Sequence, residues 1–120
     1  LPAVSPRQEL VLCAAADLPE GAPRAAEAAG RDGPLDLVLL RHRGRVLAYR
    51  NRCPHRGTPL DWVPGRFLSP DGRQLQCATH GARFRFADGL CVAGPCLGER
   101  LAAVPVIEAD GQIRLTPEPQ

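Results

Sequence analysis

Apolar residues along the chain come in short runs broken by glycine, proline and aspartate, which is the rhythm of strands and turns rather than of long helices. Gln8 to Cys13 reads as a strand, followed by turn residues at Asp17, Pro19 and Gly21. Ala22 to Gly30 is alanine-rich and is expected to form one or two helical turns, with Pro23 and the flanking glycines acting against anything longer. Leu35 to Arg41 and Arg45 to Arg50 lie on either side of His42-Arg43-Gly44 as the arms of a β-hairpin. Arg73 to Cys77 and Ala82 to Phe86 read as short strands, with turns at Pro70-Asp71-Gly72 and Ala87-Asp88-Gly89. Leu101 to Glu108 and Gln112 to Thr116 form a last hairpin about Ala109-Asp110-Gly111. The pattern predicts one all-β domain over residues 1–120, without repeats or linkers, whose middle, about residues 51–97, is rich in loops.

Composition supports this and narrows the function classes. The 120 residues suit a single domain, and 13 prolines with 12 glycines supply the turns. No apolar run approaches the roughly 18 residues needed to cross a bilayer, so no membrane partner is expected. The net charge of +2 comes entirely from arginine, and with 4% aromatic residues it is too mild to indicate nucleic acid. Five cysteines are an odd number, and the N-terminus lacks a basic region followed by an apolar one. A cytoplasmic protein that uses cysteine for metal binding fits better than a disulfide scaffold. The missing initiator methionine reads Leu1 as a processed or trimmed end.

The chemistry is concentrated in the middle. Cys53-Pro54-His55 and Cys77-Ala78-Thr79-His80 each offer one thiolate and one imidazole. Zinc fingers usually pair two cysteines in one element and two histidines in the next. The mixture within each loop suits a dinuclear centre, with Cys53 and Cys77 on one iron, His55 and His80 on the other, and two bridging sulfides. A structural zinc site held by the same four residues is the alternative.

Asn51-Arg52-Cys53-Pro54-His55-Arg56-Gly57-Thr58-Pro59-Leu60 and Cys77-Ala78-Thr79-His80-Gly81-Ala82-Arg83-Phe84-Arg85-Phe86, followed by Asp88-Gly89 and Gly94-Pro95, resemble the Rieske family of 2Fe-2S proteins. The resemblance implies the Rieske fold, an antiparallel β base of about residues 7–50 and 98–117 carrying a loop-rich cluster-binding subdomain of about residues 51–97. It implies one 2Fe-2S cluster per chain, covered by a third loop at Gly94-Pro95. A departure from the family is the long insert from Trp62 to Gln76, expected to form an extra hairpin around Pro70-Asp71-Gly72 and to pack Trp62 against the subdomain.

Two ferric ions, two sulfides and two thiolates sum to a neutral core, since neutral imidazoles add nothing. Such a core accepts an electron more readily than a four-thiolate one, which places the potential between about −150 and +300 mV. High-potential members of the family carry a disulfide between the ligand loops and hydroxyl donors to the cluster. Thr58, Thr79, Ala82 and Phe84 stand at those places here, so a low-potential, ferredoxin-type centre is expected.

The implied function is a one-electron carrier between a flavin-dependent reductase and a terminal oxygenase or similar acceptor, not an enzyme. After cluster ligation only His42 remains, too few histidines for a catalytic iron site. An accessory subunit of a larger reductase or oxygenase is a second reading. Cys91 and Cys96 fit no companion motif and are expected to be structural thiols rather than a disulfide, Cys13 a core residue, and His42 a solvated turn residue. Arg50, Arg52, Arg56, Arg83 and Arg85 are either a solvated surface or a basic rim that steers an acidic redox partner.

Overall fold

The computed structural model describes residues 10–30, 33–54, 57–61, 65–77 and 81–115. Among these residues, nine strands form three antiparallel sheets of three. The central sheet holds β2 (Arg24–Gly30), β3 (Gly33–His42) and β4 (Arg45–Arg50) in that order. A second joins β1 (Leu10–Ala14), β9 (Gln112–Leu115) and β8 (Val106–Ala109), and a third joins β5 (Gln74–Gln76), β6 (Arg83–Arg85) and β7 (Cys91–Ala93). A short 3-10 turn, Ala15–Asp17, follows β1.

β3 is apolar without alternation because both of its faces are covered. Leu37, Val38, Leu39 and Leu40 are all fully buried. Val38 and Leu40 turn to one core, with Tyr49 and Leu47 opposite them on β4. Leu39 turns to the other, with Ala48 opposite and Leu18 and Ile113 beyond. The first core continues into the loop-rich middle of the chain through Cys53, Leu60, Phe67, Leu75, Cys77 and Phe84. The central sheet is thus the wall on which that region rests.

The β3–β4 hairpin turns on Arg43 and Gly44, both with positive φ (53° and 79°), as a two-residue turn matched to strand twist requires. Glu20 carboxylate oxygens accept from both of their backbone N–H groups, at 2.6 and 3.0 Å. Arg41 ties the central sheet to the second: its guanidinium donates to both Glu108 oxygens, at 2.8 and 3.1 Å, and to the Leu18 carbonyl at 2.8 Å.

Three expectations need correction. Ala22 to Gly30 holds no helix, because residues 24–30 are strand β2, paired along their length with β3 from Arg24↔Leu39 to Gly30↔Gly33. Cross-strand bonding outweighs alanine's helical preference, and Ala26 and Ala28 face inward while Ala25 and Glu27 face out. Leu101 to Glu108 is not one strand. Its first part runs beside β4, with Arg50 N–H donating to Ala102 at 2.8 Å and Val104 N–H to Ala48 at 2.9 Å, and β8 begins only after Pro105. His42 is not in the turn: it ends β3, half-buried, with its ring edge-on to Phe86 at 5.7 Å. The insert does form the expected hairpin, closed by Ser69 N–H to Gln74 and Gln76 N–H to Phe67 at 2.9 and 2.7 Å.

Candidate metal centre

Two loops of the same construction present Cys53 and Cys77. In the first, Cys53 N–H donates to the Thr58 carbonyl at 2.8 Å and Gly57 N–H returns to the Cys53 carbonyl at 2.6 Å. In the second, Cys77 N–H donates to Ala82 and Gly81 N–H returns to Cys77, both at 2.8 Å. Each loop reverses at its glycine, Gly57 at φ +73° and Gly81 at +72°, a conformation costly for any side chain with a Cβ. The equivalence survives unequal spacing, since the first loop is Cys-x-His and the second Cys-x-x-His.

Both cysteines are fully buried and belong to one apolar cluster with Leu60, Phe67, Leu75, Ala82 and Phe84. Their histidine companions, His55 and His80, lie outside the described residues, as do Arg56, Trp62 and Thr79. The third loop is in place. Gly94, at φ +98°, sits so close to the second ligand loop that a Cβ there would fall 2.7 Å from the Ala82 Cα.

The base of the first loop is clamped by two residues that ligand spacing does not point to. Asn51 donates from Nδ2 to Asp61 at 2.7 Å and accepts the Leu60 N–H at 2.8 Å, while its own N–H reaches the Asp36 carbonyl at 2.8 Å. The loop's two ends are thereby fixed to each other and to β3. Below the second loop, Tyr49 O–H donates to the Phe86 carbonyl at 2.7 Å, and its ring packs on Gly89. Burial, and then the Asp88 charge, push the Tyr49 hydroxyl up to about 12, so it stays a donor.

The donor set and its surroundings fit a 2Fe-2S cluster. Two thiols without solvent contact, in an apolar shell, suit a core that is neutral when oxidised. Among the described residues, the buried side-chain polar atoms with no partner are Arg50 Nε, Thr58 Oγ1 and Gln76 Oε1. All three lie in or directly beside the ligand loops. A buried hydroxyl left unpaired costs about 1–3 kcal/mol, so Thr58 is suited to a loop that closes on sulfur acceptors.

Comparison with known proteins agrees. The family model for the Rieske [2Fe-2S] domain matches residues 8–116. The chain belongs to the Rieske family. Its cofactor is accordingly a Rieske-type 2Fe-2S cluster, and its all-β architecture is the Rieske fold. Among solved structures, the chain is similar to the Sphingomonas yanoikuyae B1 ferredoxin, with 26% identity, TM-score 0.72, and coverage of 92% of this chain and 100% of that one. It matches the terminal oxygenase of carbazole 1,9a-dioxygenase from Novosphingobium sp. KA1 at 24% identity and TM-score 0.74, spanning 31% of that chain. A chain of the reduced complex between oxygenase and ferredoxin in carbazole 1,9a-dioxygenase matches at 21% identity and TM-score 0.74, with 28% of it spanned. These two likenesses carry the fold alone. No curated protein matches by sequence. No helix among the described residues is long and apolar enough to cross a membrane.

The remaining cysteines and arginines behave unequally. Cys13 is half-buried against the second core. Cys91 and Cys96 are buried, with their sulfurs 3.3 Å apart. Burial first, and then the neighbouring Cys91 and Cys53 thiols, push the Cys96 thiol up to about 12. Of the arginine rim, Arg85 is already committed: its guanidinium pairs with Asp88, with Nε to Oδ1 at 3.1 Å. That pairing, with the Leu90 N–H, holds the Asp88 carboxyl down at about 2.

Proposed function

We propose that this Rieske protein is a one-electron carrier that takes an electron from a flavin-dependent reductase and delivers it to a terminal oxygenase or a similar acceptor. Cys53, His55, Cys77 and His80 hold the cluster, within a cluster-binding subdomain of about residues 51–97 seated on a base of about 7–50 and 98–117. When bound, the cluster supplies a site for one reversible electron. The chain's own residues make that site usable. The paired loop bonds and the Asn51–Asp61 clamp fix the ligand positions, so little rearrangement accompanies a change of charge. Phe67, Phe84 and Leu60 exclude water from the cysteine side.

The observation that carries this reading is the likeness to the Sphingomonas yanoikuyae B1 ferredoxin along that protein's whole length, at 26% identity and TM-score 0.72. Of its three histidines, two belong to the ligand loops, which leaves His42 against Phe86 and no set for a catalytic iron. We read these residues as an electron-transfer component rather than a catalyst, and we place the protein in the cytoplasm. The test is anaerobic mixing of the reduced protein with a Rieske-type terminal oxygenase. One electron per chain should pass, and the reductase should restore it. Tight co-purification with a large subunit, without exchange of free carrier, would instead establish the accessory role.

A further inference from the structure

Cys91 and Cys96 are each only 1% exposed, and nothing in the electron-carrier role uses them. Their sulfurs lie 3.3 Å apart, with the Cys96 thiol donating to Cys91 and the Cys91 thiol to the Ala93 carbonyl at 3.1 Å. The backbone around them is already closed. Cys91 N–H donates to Glu99 at 2.8 Å, Gly98 N–H to Cys91 at 3.1 Å, and Glu99 N–H to Cys96 at 2.9 Å. A disulfide needs the sulfurs at about 2.05 Å, so the change required is a small side-chain approach within a loop that is already formed.

We propose that Cys91 and Cys96 are a two-electron redox site, a dithiol that a peroxide converts reversibly to an intramolecular disulfide, tying together the two ends of the Gly94-Pro95 loop. Burial excludes thiol exchange with a bulky disulfide, which needs access that these sulfurs lack, and leaves a small, neutral oxidant such as a peroxide. Cys91, which accepts the Cys96 hydrogen bond, attacks one peroxide oxygen. The O–O bond breaks, an S–OH group forms on Cys91, and the released hydroxide leaves as water with the Cys91 proton. Cys96 sulfur then attacks Cys91 sulfur, the S–O bond breaks, and a second water leaves with the Cys96 proton. The pair loses two electrons, and one peroxide becomes two waters. The pair lies outside the ligand loops but adjoins the ligand Cys53, whose thiol contacts Cys96; the step itself needs no partner protein.

The test treats the cluster-loaded protein with one equivalent of hydrogen peroxide, then alkylates it under denaturing conditions and digests it with trypsin. Cleavage after Arg85 and Arg100 leaves both cysteines on one peptide, Phe86–Arg100. Most of that peptide should lose two hydrogens in mass, resist alkylation, and accept two alkyl groups after dithiothreitol. In Cys96→Ser, Cys91 should instead be trapped as a sulfenic acid by a cyclic diketone. Since the main readout uses the unaltered chain, it stands even if the variant misfolds. Two free thiols on that peptide after treatment would overturn the proposal. So would a cross-link from Cys96 to Cys53 or Cys77, or oxidation that dithiothreitol does not reverse.

Discussion

Gly94 is a residue for which no other will substitute. Its φ of +98° and the 2.7 Å approach of any added Cβ to the Ala82 Cα combine strain with overlap. Gly94→Ala should cost about 1–3 kcal/mol, read as a lowered unfolding midpoint, together with faster cluster loss as the third loop lifts. Thr58 makes the opposite kind of contribution. Ala82 and Phe84 provide no hydroxyl near the second loop, so the unpartnered hydroxyl described at the ligand loops is that of Thr58. Thr58→Val should lower the midpoint potential by about 40 mV, the equivalent of about 1 kcal/mol for one electron. An unchanged potential in redox titration would remove Thr58 from the cluster's environment. The sequence revealed Cys53 and Cys77 through their spacing and chemistry. It did not reveal the Asn51–Asp61 clamp or the Cys91–Cys96 contact, because those depend on how loops far apart in the chain close on one another.

At the scale of elements, the hairpin turn at Arg43-Gly44 and strands β3 and β4 of the central sheet were legible from apolar runs broken by turn residues. β2 was not, since alanine on both faces hides a period of two and local preference points to a helix. Nor was β7, three residues between a turn and the proline loop. The β6–β7 connection carries a charge dependence of its own. Asp88, held at about 2 by Arg85 and the Leu90 N–H, has a folded value below its ordinary 3.8. A depressed carboxyl stabilises the folded state above the ordinary value and loses that contribution as pH falls toward the folded one. Asp88→Asn should therefore lower the thermal midpoint at neutral pH, and the gap to the unaltered protein should close between pH 3.8 and about 2. A gap that stays constant with pH would show that the Asp88 charge does not hold this turn.

On the scale of the whole molecule, the central sheet separates two cores, one anchoring the second sheet and one supporting the ligand loops. Arginine gathers on the ligand-loop side, where Arg52 is exposed and Arg83 half-buried, while Arg85 is engaged by Asp88. If these charges steer an acidic partner, its association should slow by about tenfold or more between low and high salt. A flat ionic-strength profile would mark them as an ordinary solvated surface. The central claim remains that Cys53, His55, Cys77 and His80 hold a Rieske cluster. Electron paramagnetic resonance of the dithionite-reduced protein tests it most directly. The account predicts a rhombic signal with an average g below that of the free electron, one spin per chain, abolished by His80→Ala. A colourless, silent protein containing one zinc per chain would contradict it.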